Sequence, residues 1–119
     1  AAAQAFGAPG DAVERLARTI WDSPACARFF AGAPLRWAGA EVPVADAGET
    51  LRIDRLVLLD EPAGPTWWVL DYKLQHTPQA LAAYRDQLRR YRDAVRRAQP
   101  GEPVRCAFIT GAGAVIEID

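Results

Sequence analysis

A chain of 119 residues, half of them hydrophobic, suffices for one compact domain around a single core, and 14 basic against 15 acidic side chains leave a net charge of -1. That balance excludes a protein that holds nucleic acid by bulk charge, so any such contact needs a local patch. No apolar run approaches the roughly 20 residues that cross a bilayer, and the Ala-rich start lacks the basic flank and long apolar stretch of a signal peptide.

A soluble, cytoplasmic protein without membrane contact is therefore expected. Cys26 and Cys106 lie far apart, outside any CxxC or Cys/His pattern, and predict neither a zinc site nor a disulfide framework but ordinary buried residues. Asp11 can cap a first helix whose apolar positions Val13, Leu16, Ile20 and Trp21 recur at helical spacing, ending near Ser23-Pro24 or continuing weakly to Phe30. Three β-rich segments follow, Leu35 to Val44, Leu51 to Leu59 and Thr66 to Lys73, separated by turn-forming stretches from Ala45 to Glu49 and from Asp60 to Pro65. They predict an antiparallel meander. A long helix from Pro78 to about Gln99, stopped by Pro100-Gly101, leads to two last strands, Val104 to Thr110 and Val115 to Ile118, with Gly111-Ala112-Gly113 as the turn between them. No internal repeat or low-complexity linker interrupts the chain, so residues 1–119 are expected to form one domain. The helix also supplies the candidate basic patch, because Arg85, Arg89, Arg90, Arg92, Arg96 and Arg97 crowd into one stretch.

Alternation along the third strand puts Asp71 and Lys73 on one face with Val69 and Trp67, while Trp68, Leu70 and Tyr72 point the other way. A symmetric turn from Asp60 to Pro65 sets Leu56 opposite Val69, Leu58 opposite Trp67 and Asp54 opposite Asp71. A preceding turn centred between Ala47 and Gly48 sets Glu41 opposite Asp54, which completes a row of three acids. Like charges at that spacing, beside side chains that exclude water, need a positive partner. A hard divalent cation such as Mg²⁺ suits carboxylate oxygens, water and phosphate, and Lys73 is then free to orient an attacking water or to stabilise developing phosphate charge. The residues alone leave another arrangement open: Glu41 and Asp54 as surface acids, with Lys73 simply paired to Asp71.

On the long helix, Ala80, Leu81, Tyr84, Gln87, Leu88, Tyr91, Val95 and Ala98 fall on one stripe, with nearly all the arginines opposite. Gln87 is the polar exception, flanked one turn either way by Tyr84 and Tyr91, and an amide facing a core needs hydrogen-bond partners. Such convergence of polar groups beside an acidic row favours a functional role over plain packing.

Taken in order, Arg52-Ile53-Asp54-Arg55, Asp71-Tyr72-Lys73 and Tyr84-Arg85-Asp86-Gln87-Leu88-Arg89-Arg90-Tyr91 resemble the PD-(D/E)XK nuclease superfamily, specifically the RecB-like nuclease domain at the C-terminus of UvrD-type helicase-nucleases. The resemblance covers Glu41 to about Ile118. It implies an α/β restriction-endonuclease-like core, a mixed sheet of a three-strand meander plus later strands flanked by helices. By the same resemblance Asp54, Asp71 and the main-chain carbonyl of Tyr72 ligate Mg²⁺ or Mn²⁺, Lys73 assists water attack, and Glu41 matches an acidic position on an earlier strand. Gln87 and Tyr91 match the family's Gln-x-x-x-Tyr motif and support the site and the DNA strand, with Tyr84, Arg85 and His76 as further DNA-proximal residues. The implied activity is metal-dependent, exonucleolytic DNA cleavage in recombination and repair, with a helicase motor domain in the same or a partner chain.

One departure is that such nucleases often carry a metal-binding histidine in an N-terminal helix, and no histidine precedes His76. It motivates an alternative, a degenerate nuclease fold that binds DNA or a helicase partner without cutting. Relatives bearing an iron–sulfur cluster use four cysteines, and two distant ones argue against a cluster. No GxxxxGK[ST] loop is present, so the chain is not itself the ATP-driven motor.

Overall fold

The computed structural model describes residues 8–119, with side chains from residue 13 onward. Helix α1 spans Ala8–Asp22, so the backbone of Asp11 lies within it and not before it, and the predicted capping side chain falls outside the described residues. The weak continuation toward Phe30 is a separate 3₁₀ turn, Ala27–Phe29. Strands β1 (Leu35–Asp46), β2 (Glu49–Glu61) and β3 (Gly64–Lys73) form the antiparallel meander, each reaching beyond its sequence-predicted bounds. Helix α2 (Ala82–Ala98) then crosses over to β4 (Val104–Thr110), which lies parallel to β3, and β5 (Val115–Ile118) closes the sheet in the order β1-β2-β3-β4-β5. The architecture is α/β, a five-stranded mixed sheet flanked by helices. Among the described residues no helix is long and apolar enough to cross a membrane.

Turn chemistry sets the register. Ala47 and Gly48 both take positive φ, 49° and 84°, the geometry of a tight two-residue hairpin, and Asp46 pairs directly with Glu49. The second turn tightens the same way around Pro62-Ala63, with Glu61 opposite Gly64. Leu56 thereby faces Val69 and Leu58 faces Trp67, as the symmetry of the turn requires.

Each face of the sheet has its own apolar layer. Phe29, Val57, Trp68, Leu70 and Ile109 pack on the side of α1 and the 3₁₀ turn, while Ile53, Leu56, Val69, Leu88, Val95 and Phe108 pack under α2. The faces reverse partway along β1 and β2. Ile53 lies under α2, yet Val57 and Leu59, separated from it by even numbers of residues, lie on the opposite side. On β1 the reversal coincides with Glu41, whose φ of 50° is left-handed, and with Gly39, where a Cβ would come within 2.7 Å of the Trp37 indole and 2.9 Å of Val42. The acids of the central strands stand at this reversal.

The predicted helix from Pro78 begins later, because Pro78–Ala80 form a 3₁₀ turn and Leu81 is extended, at φ -93° and ψ 117°. Ala80 and Leu81 therefore leave the core stripe, and Leu81 is exposed. The stripe that packs is Tyr84, Leu88, Tyr91 and Val95, a spacing of three and four residues. Leu88 is fully buried, so Leu88→Ala removes transfer energy and leaves a cavity beneath the helix. We expect a loss of about 2–4 kcal/mol in chemical denaturation, with no change in the denaturant slope.

Candidate active site

The β2–β3 ladder ends at Arg55–Leu70, one residue short of the predicted Asp54–Asp71 pair. Beyond it the strands part, and the Tyr72 N–H donates to Oδ2 of Asp54 at 3.0 Å. The Asp54 carboxylate thus bridges the two strands where backbone pairing stops. Arg55 steadies this corner from the far side of the sheet, donating through Nε and Nη2 to the Phe29 carbonyl at 3.0 and 2.8 Å with its guanidinium 4.4 Å from the centre of the Phe30 ring.

Asp71 is 3% exposed, and its Oδ2 accepts no hydrogen bond. The Lys73 ammonium stands 3.2 Å from that oxygen, so the atom has a charge partner but no aligned donor. Burial, then the neighbouring Asp54 carboxylate within hydrogen-bonding reach, raises the Asp71 carboxyl from 3.8 to about 7 against the opposing pull of Lys73. Asp71 therefore retains its proton to near neutrality. Lys73 also lies over the Tyr84 ring, 4.5 Å from its centre. The Tyr91 phenol is pushed up by burial and then by the charges of Asp71 and Asp54, which places it in the field of the same pair.

Several predicted residues join this centre and others do not. Asp54, Asp71, Tyr72, Lys73, Tyr84 and Tyr91 converge. Glu41 has the predicted register, since its neighbours Ala40 and Val42 pair with Arg55 and Ile53, but it is exposed with left-handed backbone. Among the described residues no three His, Cys, Asp or Glu side chains group as a metal site, so the row of three acids reduces to a pair. Gln87 is exposed, because the stripe under α2 is narrower than predicted and passes through Leu88 instead. It bears no burial cost and needs no internal partner. His76 is exposed in the loop after β3, as expected. The Tyr72 side chain faces away from the acids and, with Trp21, Phe30 and Leu74, lines an apolar groove of about 400 Å³ beside α1.

The basic patch is tied to the protein's own acceptors while the side chains of Arg89, Arg90, Arg96 and Arg97 stay exposed. Arg90 and Arg97 both bind Asp46 at the β1–β2 turn, Arg89 donates to the Asp119 carbonyl, Arg96 to the Val104 carbonyl and Arg85 to the Gln79 carbonyl, and Arg92 pairs with Asp93. These arginines fasten α2 to the sheet, the chain end and its own approach. Two features escaped sequence reading. Gln75 donates to the Tyr84 hydroxyl at 3.0 Å, and a glutamine in a loop carries no periodic signal. Lys73 is the chain's one lysine among thirteen arginines, a signal that a count reveals. No protein-family model matches the chain, and no curated protein matches it either.

The raised carboxyl has a definite sign for stability. Folded Asp71 keeps its proton up to about pH 7 whereas the unfolded chain loses it near 3.8, so between those values the folded state binds more protons. Its favourable contribution is complete below about pH 4 and is lost as pH rises through 7. Asp71→Asn, which mimics the protonated form, should match the wild type in thermal stability near pH 4. Above pH 8 it should exceed the wild type by roughly 2–4 kcal/mol. A constant difference across that range would place the proton elsewhere.

Proposed function

We propose that the chain is a metal-dependent deoxyribonuclease domain with a restriction-endonuclease-like core, hydrolysing phosphodiester bonds in DNA end processing as its resemblance to RecB-like nucleases implies. The observation that carries this reading is the pairing of half-buried Asp54 with buried Asp71 at the parting of β2 and β3, beside the chain's one lysine. Two carboxylates in mutual reach, one of them holding a buried oxygen without a donor, are short of positive charge. They fit Mg²⁺ or Mn²⁺. The carbonyl of Tyr72 fits as a third oxygen, because a strand residue presents its N–H and C=O to the same neighbour and the Tyr72 N–H faces Asp54.

A bound divalent cation supplies Lewis acidity and an activated water at such a site. Asp54 and Asp71 would hold such an ion through their carboxylate oxygens, which ligate in the deprotonated form. Lys73, 20% exposed, places an ammonium where negative charge builds on a phosphate oxygen. Gln87 and His76 are exposed, and with Tyr91 they are the residues to which the resemblance assigns DNA contact, while exposed Glu41 is available for an outer, water-mediated role. The near-neutral net charge supports delivery of DNA by a helicase motor domain in the same or a partner chain. A second reading, a module that binds DNA or such a partner without cutting, draws on the lack of a histidine before His76 and on the exposure of Glu41.

Degradation of linear single- and double-stranded DNA with Mg²⁺ or Mn²⁺, alongside calorimetric Mn²⁺ titration, tests the assignment. Lys73→Ala should lower cleavage by at least about 100-fold while Mn²⁺ affinity holds, and Asp71→Ala should remove both. Equal loss of metal in the two variants would overturn the roles given to them, and a wild type that neither cuts nor binds Mn²⁺ would favour the non-cleaving module. Gln87→Ala should reduce cleavage and leave stability within about 0.5 kcal/mol, as expected for an exposed side chain.

A further inference from the structure

The Lys73 ammonium is held from two sides that differ in chemistry. On one is Oδ2 of Asp71 at 3.2 Å, and on the other is the face of Tyr84, its ring centre 4.5 Å from Nζ. Tyr84 sits in the first turn of α2, packed against the layer beneath that helix. Its hydroxyl accepts from Nε2 of Gln75 in the loop leaving β3, so the ring is fixed from both ends. The two partners of Lys73 respond differently to a cation. A divalent ion ligated by Asp71 competes with the ammonium for the same carboxylate and repels it. An aromatic face does not compete, since hard divalent ions take oxygen ligands, yet it attracts an ammonium. Without the ring, the flexible four-carbon stem of Lys73 loses the one aromatic face that holds its ammonium among the described residues.

We propose that Tyr84 is a positioning residue whose ring keeps the Lys73 ammonium beside the acid pair once a cation engages Asp71, with Gln75 setting the ring's orientation. What the held ammonium then does rests on the nuclease reading; where it is held does not. Neither residue touches the reacting phosphate in this account, and both act through Lys73.

The single lysine makes the test direct. Lysine-selective ¹³C labelling yields one side-chain εCH₂ signal, and a ring 4.5 Å from Nζ shields it. We expect an upfield-shifted signal in the wild type that persists with Mg²⁺. Tyr84→Phe, which keeps the ring, should retain most of the shielding, Gln75→Ala should reduce it, and Tyr84→Leu should abolish it. In cleavage assays Tyr84→Leu should lower kcat about fivefold with KM nearly unchanged, and Tyr84→Phe should stay within about twofold of wild type. Should Tyr84→Leu fail to fold, the graded effects of Tyr84→Phe and Gln75→Ala on the lysine signal still decide the matter. The proposal is overturned if the wild-type signal is unshifted, if Mg²⁺ abolishes the shielding, or if Tyr84→Leu leaves it unchanged. Tyr84-dependent shielding in a protein that binds no metal and cuts no DNA would sink the nuclease reading and leave the positioning intact.

Discussion

Two carboxylates of like charge in a partly dry corner of a sheet constrain everything around them. Asp54 and Asp71 meet where the β2–β3 ladder stops, and they stay together because the carboxylate of one takes a backbone N–H that would otherwise be orphaned. The other carboxyl, deprived of water, resists ionisation. Neighbouring elements then read as responses to this corner: Arg55 clamps β2 from behind through the Phe29 carbonyl, Lys73 offsets charge on the near side, and α2 brings Tyr84 and Tyr91 over the top. A well-packed apolar pair in the same place would stabilise the fold more, as buried ionic groups seldom repay their desolvation. Retention of the acids is therefore better explained by chemistry than by stability.

Helix α2 joins the two halves of this arrangement. Its apolar stripe packs on the sheet, its arginines grip Asp46 at the distal hairpin and carbonyls near the chain end, and its first turn closes on Lys73. Arg85, Arg89 and Arg96 donate to neutral carbonyls, so their anchoring leaves the positive charge of the helix in place.

Much of this was legible from residue order. Strand number, the pairing of Leu56 with Val69 and the facing of Asp71 and Lys73 follow from alternation and turn symmetry, which are local rules. Gln87 left the expected face, and Glu41, at its expected register, turned outward, for reasons those rules do not contain. Alternation presumes one face per strand, and the left-handed backbone at Glu41, with Trp37 folded over Gly39, reverses the faces midway. Helical periodicity gave Gln87 to the stripe, but the face that packs is narrower and runs through Tyr84, Leu88, Tyr91 and Val95. Gln75 and the clamp of Arg55 on Phe29 depend on contacts between distant segments, which periodicity does not encode.

The parallel pairing of β3 with β4 also fixes an order of assembly. β1, β2 and β3 are joined by two-residue turns and make short-range contacts, whereas β4 reaches β3 only after the chain has passed through α2. Short-range contacts form first, because distant ones carry a larger loop-closure cost. The acid pair belongs to the early meander, and the ring that steadies the lysine belongs to the late crossover. During synthesis the corner that gathers negative charge thus exists before the cover that organises its one ammonium, and the domain matures from a charge trap into an ordered centre only when β4 closes.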